Sequence, residues 1–299
     1  MIIMGKLSSL FAEVTRELTT GDCDTCGQPF SGYTLRRKGE VFYNPTTCRA
    51  CLDKAVKEQD ELADNKSRLI DIDSRREKTR LSCGIPAKFQ KVRFDNFDRK
   101  RPGNVGKVCQ VCIKYADNYN LADPKSYKSL VLTSSRIWGN GKTHLVCSIM
   151  HRILDRWNGE RSYGYLILDK LFVSILYITE YDMFERIQRT YNKDKVPGQE
   201  TEDKVFELLT EVGLLVVDDV GKVARSDSRF VQSTWFKIVD KRDASELPIV
   251  LTCNLNHGEF FSHFGGEANQ ATYSRLMDMA KGNSFEIDSP SYRNIKEGK

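Results

Sequence analysis

Three short, wholly apolar runs stand out from a chain that is otherwise rich in charge: Leu130-Val131-Leu132, Leu214-Leu215-Val216-Val217 and Pro248-Ile249-Val250-Leu251. Runs this short and this uniform predict strands covered on both faces, as in a parallel sheet between helices. A further strand is expected to end at Tyr177-Ile178-Thr179-Glu180, with a helix over residues 181–191. After the first run, apolar positions at Leu145, Ile149 and Ile153 follow helical spacing. The predicted class is α/β, a parallel sheet flanked by helices.

The amino-terminal part reads differently. Residues 51–80 are dense in Lys, Glu, Asp and Arg, with scattered Leu52, Val56, Leu62, Leu69 and Ile72. That composition predicts an exposed helical connector, and the absence of a sustained heptad excludes a coiled coil. Compact structure restarts at residues 84–89 and 94–97, so the boundary is placed near Ser82, giving domains 1–82 and 83–299. Residues 158–169 make a longer connection than the flanking elements need.

Composition sets limits. With 299 residues and 40% hydrophobic content, the chain supports an ordinary core plus a small appendage. The most apolar stretch, 163–178, is broken by Asp169 and Lys170, and residues 1–11 carry Lys6 and no small-residue cleavage site. The expectation is a cytoplasmic protein without a membrane partner. The net charge of +5 permits nucleic-acid contact without requiring it.

The chemistry sits where the apolar runs end. Gly139-Asn140-Gly141-Lys142-Thr143 follows the first run, and a glycine-rich turn opening a helix aims backbone N–H groups and a helix dipole at one spot. Phosphates fit there, with Lys142 reaching the β and γ phosphates and the Thr143 hydroxyl on Mg²⁺. His144, next in the helix, borders this nucleotide set, and a packing role suits it as well. Arg136 stands where the strict phosphate-loop pattern has its first glycine, and a left-handed backbone there costs about 1–2 kcal/mol. The second run ends in Asp218-Asp219: Asp218 suits magnesium and Asp219 suits activation of the attacking water. The third leads to Asn254, an amide placed to position water. Three strand ends sharing one task match the rule that open parallel sheets bind ligands at their carboxyl edge.

The cysteines add a second chemistry. Cys23-x-x-Cys26 and Cys48-x-x-Cys51 form two thiolate hooks near zinc-ribbon spacing, and four thiolates around Zn²⁺ leave no open position for catalysis. The site is read as structural. Between the hooks, Tyr33, Arg36, Arg37, Lys38, Phe42 and Tyr43 suit either a face for single-stranded nucleic acid or the small module's own core. Cys109 and Cys112 fall in a helical segment without a second hook, and with Cys147 and Cys253 they are expected to pack.

Taken in series, Gly-Asn-Gly-Lys-Thr-His-Leu, Leu-Leu-Val-Val-Asp-Asp-Val-Gly, Leu-Pro-Ile-Val-Leu-Thr-Cys-Asn, Tyr273-Ser274-Arg275-Leu276 and Ser291-Tyr292-Arg293 resemble the DnaC/DnaI-type replicative helicase loaders, a branch of the AAA+ ATPases. The resemblance covers about two thirds of the chain. It implies an AAA+ P-loop domain binding ATP, Asn254 at the sensor 1 position, Arg275 as an arginine finger offered to a neighbouring subunit, and Arg293 as the sensor 2 arginine. Self-association through the ATPase domain follows from a finger in trans. Arg242 has a weaker claim to such a contact. The resemblance further implies an amino-terminal domain gripping a ring helicase and single-stranded DNA near Arg186, Arg189, Lys193 and Lys195, although a solvated helix face explains those charges too. Two alternatives stay open: an IstB-type transposition helper, and a non-hydrolysing nucleotide-gated adaptor, the latter suggested by Arg136 and by Asp219 where many AAA+ motors carry glutamate.

Overall fold

The computed structural model describes residues 14–159, 162–167, 171–191, 200–222 and 228–292. They fold as two units, Met1–Ile70 and Asp71–Lys299. In the first, β1 (Val14–Asp22), β2 (Pro29–Arg37) and β3 (Glu40–Tyr43) form an antiparallel sheet in that order. Helix α1 (Arg49–Ser82) follows for 34 residues, with only Thr79 buried along it, as its charged composition predicts. The units part within this helix, which itself ends at Ser82, the position proposed as the boundary.

The second unit holds α2 (Val105–Asn118), β4 (Leu130–Thr133), α3 (Lys142–Arg156), β5 (Tyr165–Ile167), β6 (Leu171–Val173), β7 (Ile175–Thr179), α4 (Glu180–Arg189), α5 (Glu202–Glu211), β8 (Leu214–Val220), α6 (Ser228–Ala244), β9 (Ile249–Cys253), α7 (His257–His263), α8 (Gln270–Met279) and β10 (Ser284–Glu286). Five strands make a parallel sheet in the order β10-β4-β9-β8-β7. The apolar runs are its central strands, and their alternate residues enter opposite layers. Leu130, Leu132, Leu214, Val216 and Val250 pack with α2 and α3, while Val131, Leu215, Val217, Ile249 and Leu251 pack with helices α4 to α8. Burial on both faces is why these runs are apolar throughout.

Two features were not foreseen. The long connection after α3 contains an antiparallel hairpin, β5 paired with β6, which occupies the extra length. The edge strand β10, only Ser-Phe-Glu, pairs with β4 through a register that three residues of sequence do not advertise.

Arg242 corrects an expectation. It is fully buried, and its guanidinium donates to the main-chain oxygens of Leu209, Val212, Gly213 and Pro248. It joins the end of α5 to the starts of β8 and β9 within one chain, so it has no donor facing a neighbouring subunit. The planar guanidinium fork reaches several carbonyls at once, which suits arginine to this position.

Candidate nucleotide site

The phosphate loop runs from the end of β4 to the start of α3. Arg136, Gly139 and Gly141 all take positive φ, at 58°, 76° and 105°. At Arg136 the strain is held by neighbours: its N–H donates to the Asn254 carbonyl at 2.9 Å and its side chain pairs with Glu259. Gly141 has no room for a side chain, because a Cβ there would lie 2.8 Å from the Phe97 ring.

Lys142 opens α3 and is buried. Its ammonium donates to the Asn254 side-chain oxygen at 2.7 Å, to that of Asn140 at 3.0 Å, and to the Ser134 hydroxyl. Burial pushes its pKa down to about 8 against the upward pull of Asp218 and Asp219. An anion entering the adjoining cavity would favour the charged form.

Asp218 is 1% exposed at the end of β8. One carboxylate oxygen accepts from the Thr143 hydroxyl at 2.8 Å and the Tyr177 hydroxyl at 2.7 Å, and the other accepts from Thr252. Burial raises its pKa, while those hydroxyls pull it back towards the charged form. The next residue turns away. Between Val217 and Val220 the register of β8 on β9 shifts, and Asp219 adopts φ 58° with its N–H on the Thr252 hydroxyl at 3.0 Å. A bulge re-aims side chains at a strand end, so the two aspartates take different surroundings. The Asp219 carboxylate pairs with Lys222.

These groups line a cavity of about 430 Å³, within the range for small-molecule sites. Gly139, Asn140, Gly141, Lys142, Thr143, His144, Asp218, Asp219 and Asn254 all reach it. The linker before α2 supplies a further wall through Pro86, Phe97 and Arg101, the last two against the phosphate loop. His144 faces that wall, with Nε2 3.1 Å from the Arg93 carbonyl and its ring edge-on to Phe97. Thr143 and Asp218 bring a hydroxyl and a carboxylate together, the kind of oxygen ligands that could hold a hard cation such as magnesium.

No family model matches the chain, and no curated protein does. Among solved structures it is similar to DnaI (20% identity, 68% of this chain and 93% of that one, TM-score 0.48). It is also similar to the DnaC helicase loader (17%, 68% and 98%, TM-score 0.49) and to AMPPCP-bound DnaA from Aquifex aeolicus (20%, 72% and 55%, TM-score 0.47). The fold itself is read from the parallel five-stranded sheet, its flanking helices and the glycine-bearing loop at its carboxyl edge: a P-loop-like α/β domain.

Arg275 stands apart from the cavity of its own chain. It lies on α8, 3.3 Å from Asp240 and 3.9 Å from Asp243 on α6, with its guanidinium over the Phe236 ring. Arg293 lies outside the described residues. Its predecessor Tyr292 donates its N–H to the Gly139 carbonyl at 2.9 Å, so the described chain ends beside the phosphate loop. Of the basic strip, Arg186 forms a two-pronged pair with Glu200 and Arg189 pairs with Glu185, while Lys193 and Lys195 lie outside the described residues. Among the described residues no helix is long and apolar enough to cross a membrane.

Sequence reasoning did not single out Tyr177, Thr252 or Arg101. A tyrosine in the middle of a buried strand was the available signal for the first, because its hydroxyl needs a partner.

In the amino-terminal unit the two cysteine hooks converge, their four sulfurs lying within 4.8 Å of one another. Cys23 and Cys26 sit in the turn between β1 and β2, closed by Gly27 N–H on the Cys23 carbonyl, and Cys48 and Cys51 flank the start of α1. Cys26 and Cys48 sulfurs are 3.8 Å apart, the edge of a tetrahedron with metal–sulfur bonds of about 2.3 Å. The Cys48 N–H donating to Cys23 lowers that thiol to about 6, and hydrogen bonds among the other sulfurs raise Cys51 to about 12. Cys109, Cys112, Cys147 and Cys253 are buried in the sheet's two layers, as packing residues.

The aromatic residues between the hooks are not a core. Tyr33, Phe42 and Tyr43 are exposed, Leu18 lies opposite Tyr33 across β1 and β2, and Arg36 pairs with Glu17.

Proposed function

We propose that this protein is an AAA+ ATPase that binds ATP with magnesium and loads a ring helicase onto single-stranded DNA. The observation that carries the ATPase reading is the meeting of Lys142, Asp218 and Asn254, distant in sequence, around one cavity at the carboxyl edge of the sheet. The loader assignment is supported by the motif series resembling DnaC/DnaI-type loaders.

Lys142 and the loop N–H groups hold the β and γ phosphates, and Asn254 orients water near them. Magnesium, held through Thr143 and Asp218, supplies charge neutralisation on the phosphate oxygens. Asp219 takes the proton of the attacking water once Lys222 releases it. Arg275 reaches the site of a neighbouring subunit, where a guanidinium adds about 10³–10⁵ in rate. Zinc on Cys23, Cys26, Cys48 and Cys51 folds the amino-terminal unit, whose exposed Tyr33, Phe42 and Tyr43 side chains grip the helicase. Domains 1–82 and 83–299 divide these two tasks.

The engagement of Asp219 with Lys222, together with its left-handed backbone, also favours a nucleotide-gated adaptor that hydrolyses nothing. Phosphate release with and without single-stranded DNA separates the two readings. The wild type is expected to turn over ATP, Lys142→Ala to lose binding, and Asp219→Asn to bind without turnover. Equal turnover by wild type and Asp219→Asn removes Asp219 as the base, and no turnover by any form with intact binding leaves the adaptor.

A further inference from the structure

No motif pointed to Arg101, which belongs to the linker before α2 and lines the nucleotide cavity. Only 8% of it is exposed. Its guanidinium is stacked between two rings, 5.0 Å from the centre of Phe97 and 5.4 Å from that of Tyr292. Nη2 donates to the main-chain oxygen of Asn140 in the phosphate loop at 3.0 Å, and Nε donates to that of Asp98 at 3.1 Å. Nη1 is buried without a hydrogen-bond partner. The loop is shaped around this side chain, since a Cβ on Gly141 would lie 3.0 Å from Nη2.

The contacts of Arg101 are carbonyl oxygens and ring faces, and among the described residues no carboxylate pairs with it. Burial lowers its pKa, but a guanidinium starts so high that it stays charged at neutral pH. Withdrawing a cation from water without a carboxylate partner is unfavourable; Arg242 offsets that cost with four main-chain oxygens, whereas Arg101 has two and its Nη1 has none. Here the charge, offset through space by Asp98 alone among the described carboxylates, sits against the phosphate loop in the cavity lining. We propose that Arg101 is a binding residue for the phosphate chain of a nucleoside triphosphate, its buried charge acting across the loop backbone on the bound phosphates. This rests on the nucleotide-site reading above.

A rival role is purely mechanical, a strut between linker, loop and the segment at Tyr292. The two differ in their dependence on ligand charge. Full-length wild type, Arg101→Met and Arg101→Lys are titrated with fluorescently labelled ATP, ADP and AMP without magnesium, at low and high salt, after circular dichroism has checked folding. An electrostatic role predicts that Arg101→Met loses about tenfold or more in ATP affinity, less for ADP and least for AMP, with the losses shrinking at high salt. Arg101→Lys keeps the charge and is expected to retain the wild-type ratio of ATP to AMP affinity. If Arg101→Met does not fold, the ratio is read in Arg101→Gln, which is neutral but keeps a polar head: a fall in ATP relative to AMP affinity supports the charge, and an unchanged ratio overturns the proposal. Equal losses for all three nucleotides, or no loss in a folded variant, overturn the proposal while leaving the nucleotide site standing. A wild type that binds none of the three defeats both.

Discussion

Replacing Arg242 by methionine tests whether this buried cation holds the domain together or serves a neighbouring subunit. Its guanidinium donates to Leu209 O at 3.1 Å, Val212 O at 2.8 Å, Gly213 O at 3.3 Å and Pro248 O at 2.7 Å. Hydrogen bonds from a charged donor contribute about 1.5–3 kcal/mol each, so losing four is a gross loss of about 6–12 kcal/mol. Methionine also removes the desolvation penalty of the cation, several kcal/mol, leaving a net destabilisation of about 3–5 kcal/mol. Domains of this kind have only about 5–15 kcal/mol in total. Urea unfolding followed by circular dichroism should therefore show a much lower midpoint with an unchanged slope. Arg242→Lys should recover only part of the loss, because a single ammonium cannot span carbonyls on three elements. An unchanged midpoint combined with lost ATP turnover would refute the reasoning and return Arg242 to an intersubunit role.

Chelation of zinc, or Cys26→Ser, should unfold the amino-terminal unit while sparing the P-loop domain; metal analysis with circular dichroism reads both, and a full complement of structure after chelation defeats the four-thiolate site. Arg275→Ala should bind nucleotide normally yet lose turnover, and normal turnover in this variant rules out a trans finger. Burial holds His151 down to about 4, with Nε2 on the Phe89 carbonyl. Its folded pKa lies below the unfolded value of about 6.5, so its contribution to stability is complete above about pH 6.5 and falls away towards pH 4. The melting temperature should drop over that window, and His151→Gln should flatten the drop; an identical pH profile for the variant removes His151 as its cause.

Much of this protein is written in short stretches of sequence. Apolar runs flanked by glycine, aspartate or asparagine specify buried strands and their polar ends, because strand periodicity and turn chemistry act over only a few residues. Cysteine spacing likewise specifies two hooks, each a local turn. What those stretches cannot state is which distant groups meet. The three hydroxyls on Asp218, the bulge that separates Asp219 from it, and the Arg101 stack against the loop all depend on strands and linkers far apart in the chain. Arg242 shows the same limit from the other side: in sequence it is one basic residue among several near the end of a helix, and only packing makes it a buried staple. Exposure of Tyr33, Phe42 and Tyr43 was also decided in three dimensions, since Phe42 and Tyr43 alternate to opposite faces of the sheet and nothing local says whether either face is covered. Residue type and spacing chose the chemistry, and long-range packing chose its neighbours, because burial and charge compensation belong to the assembled fold.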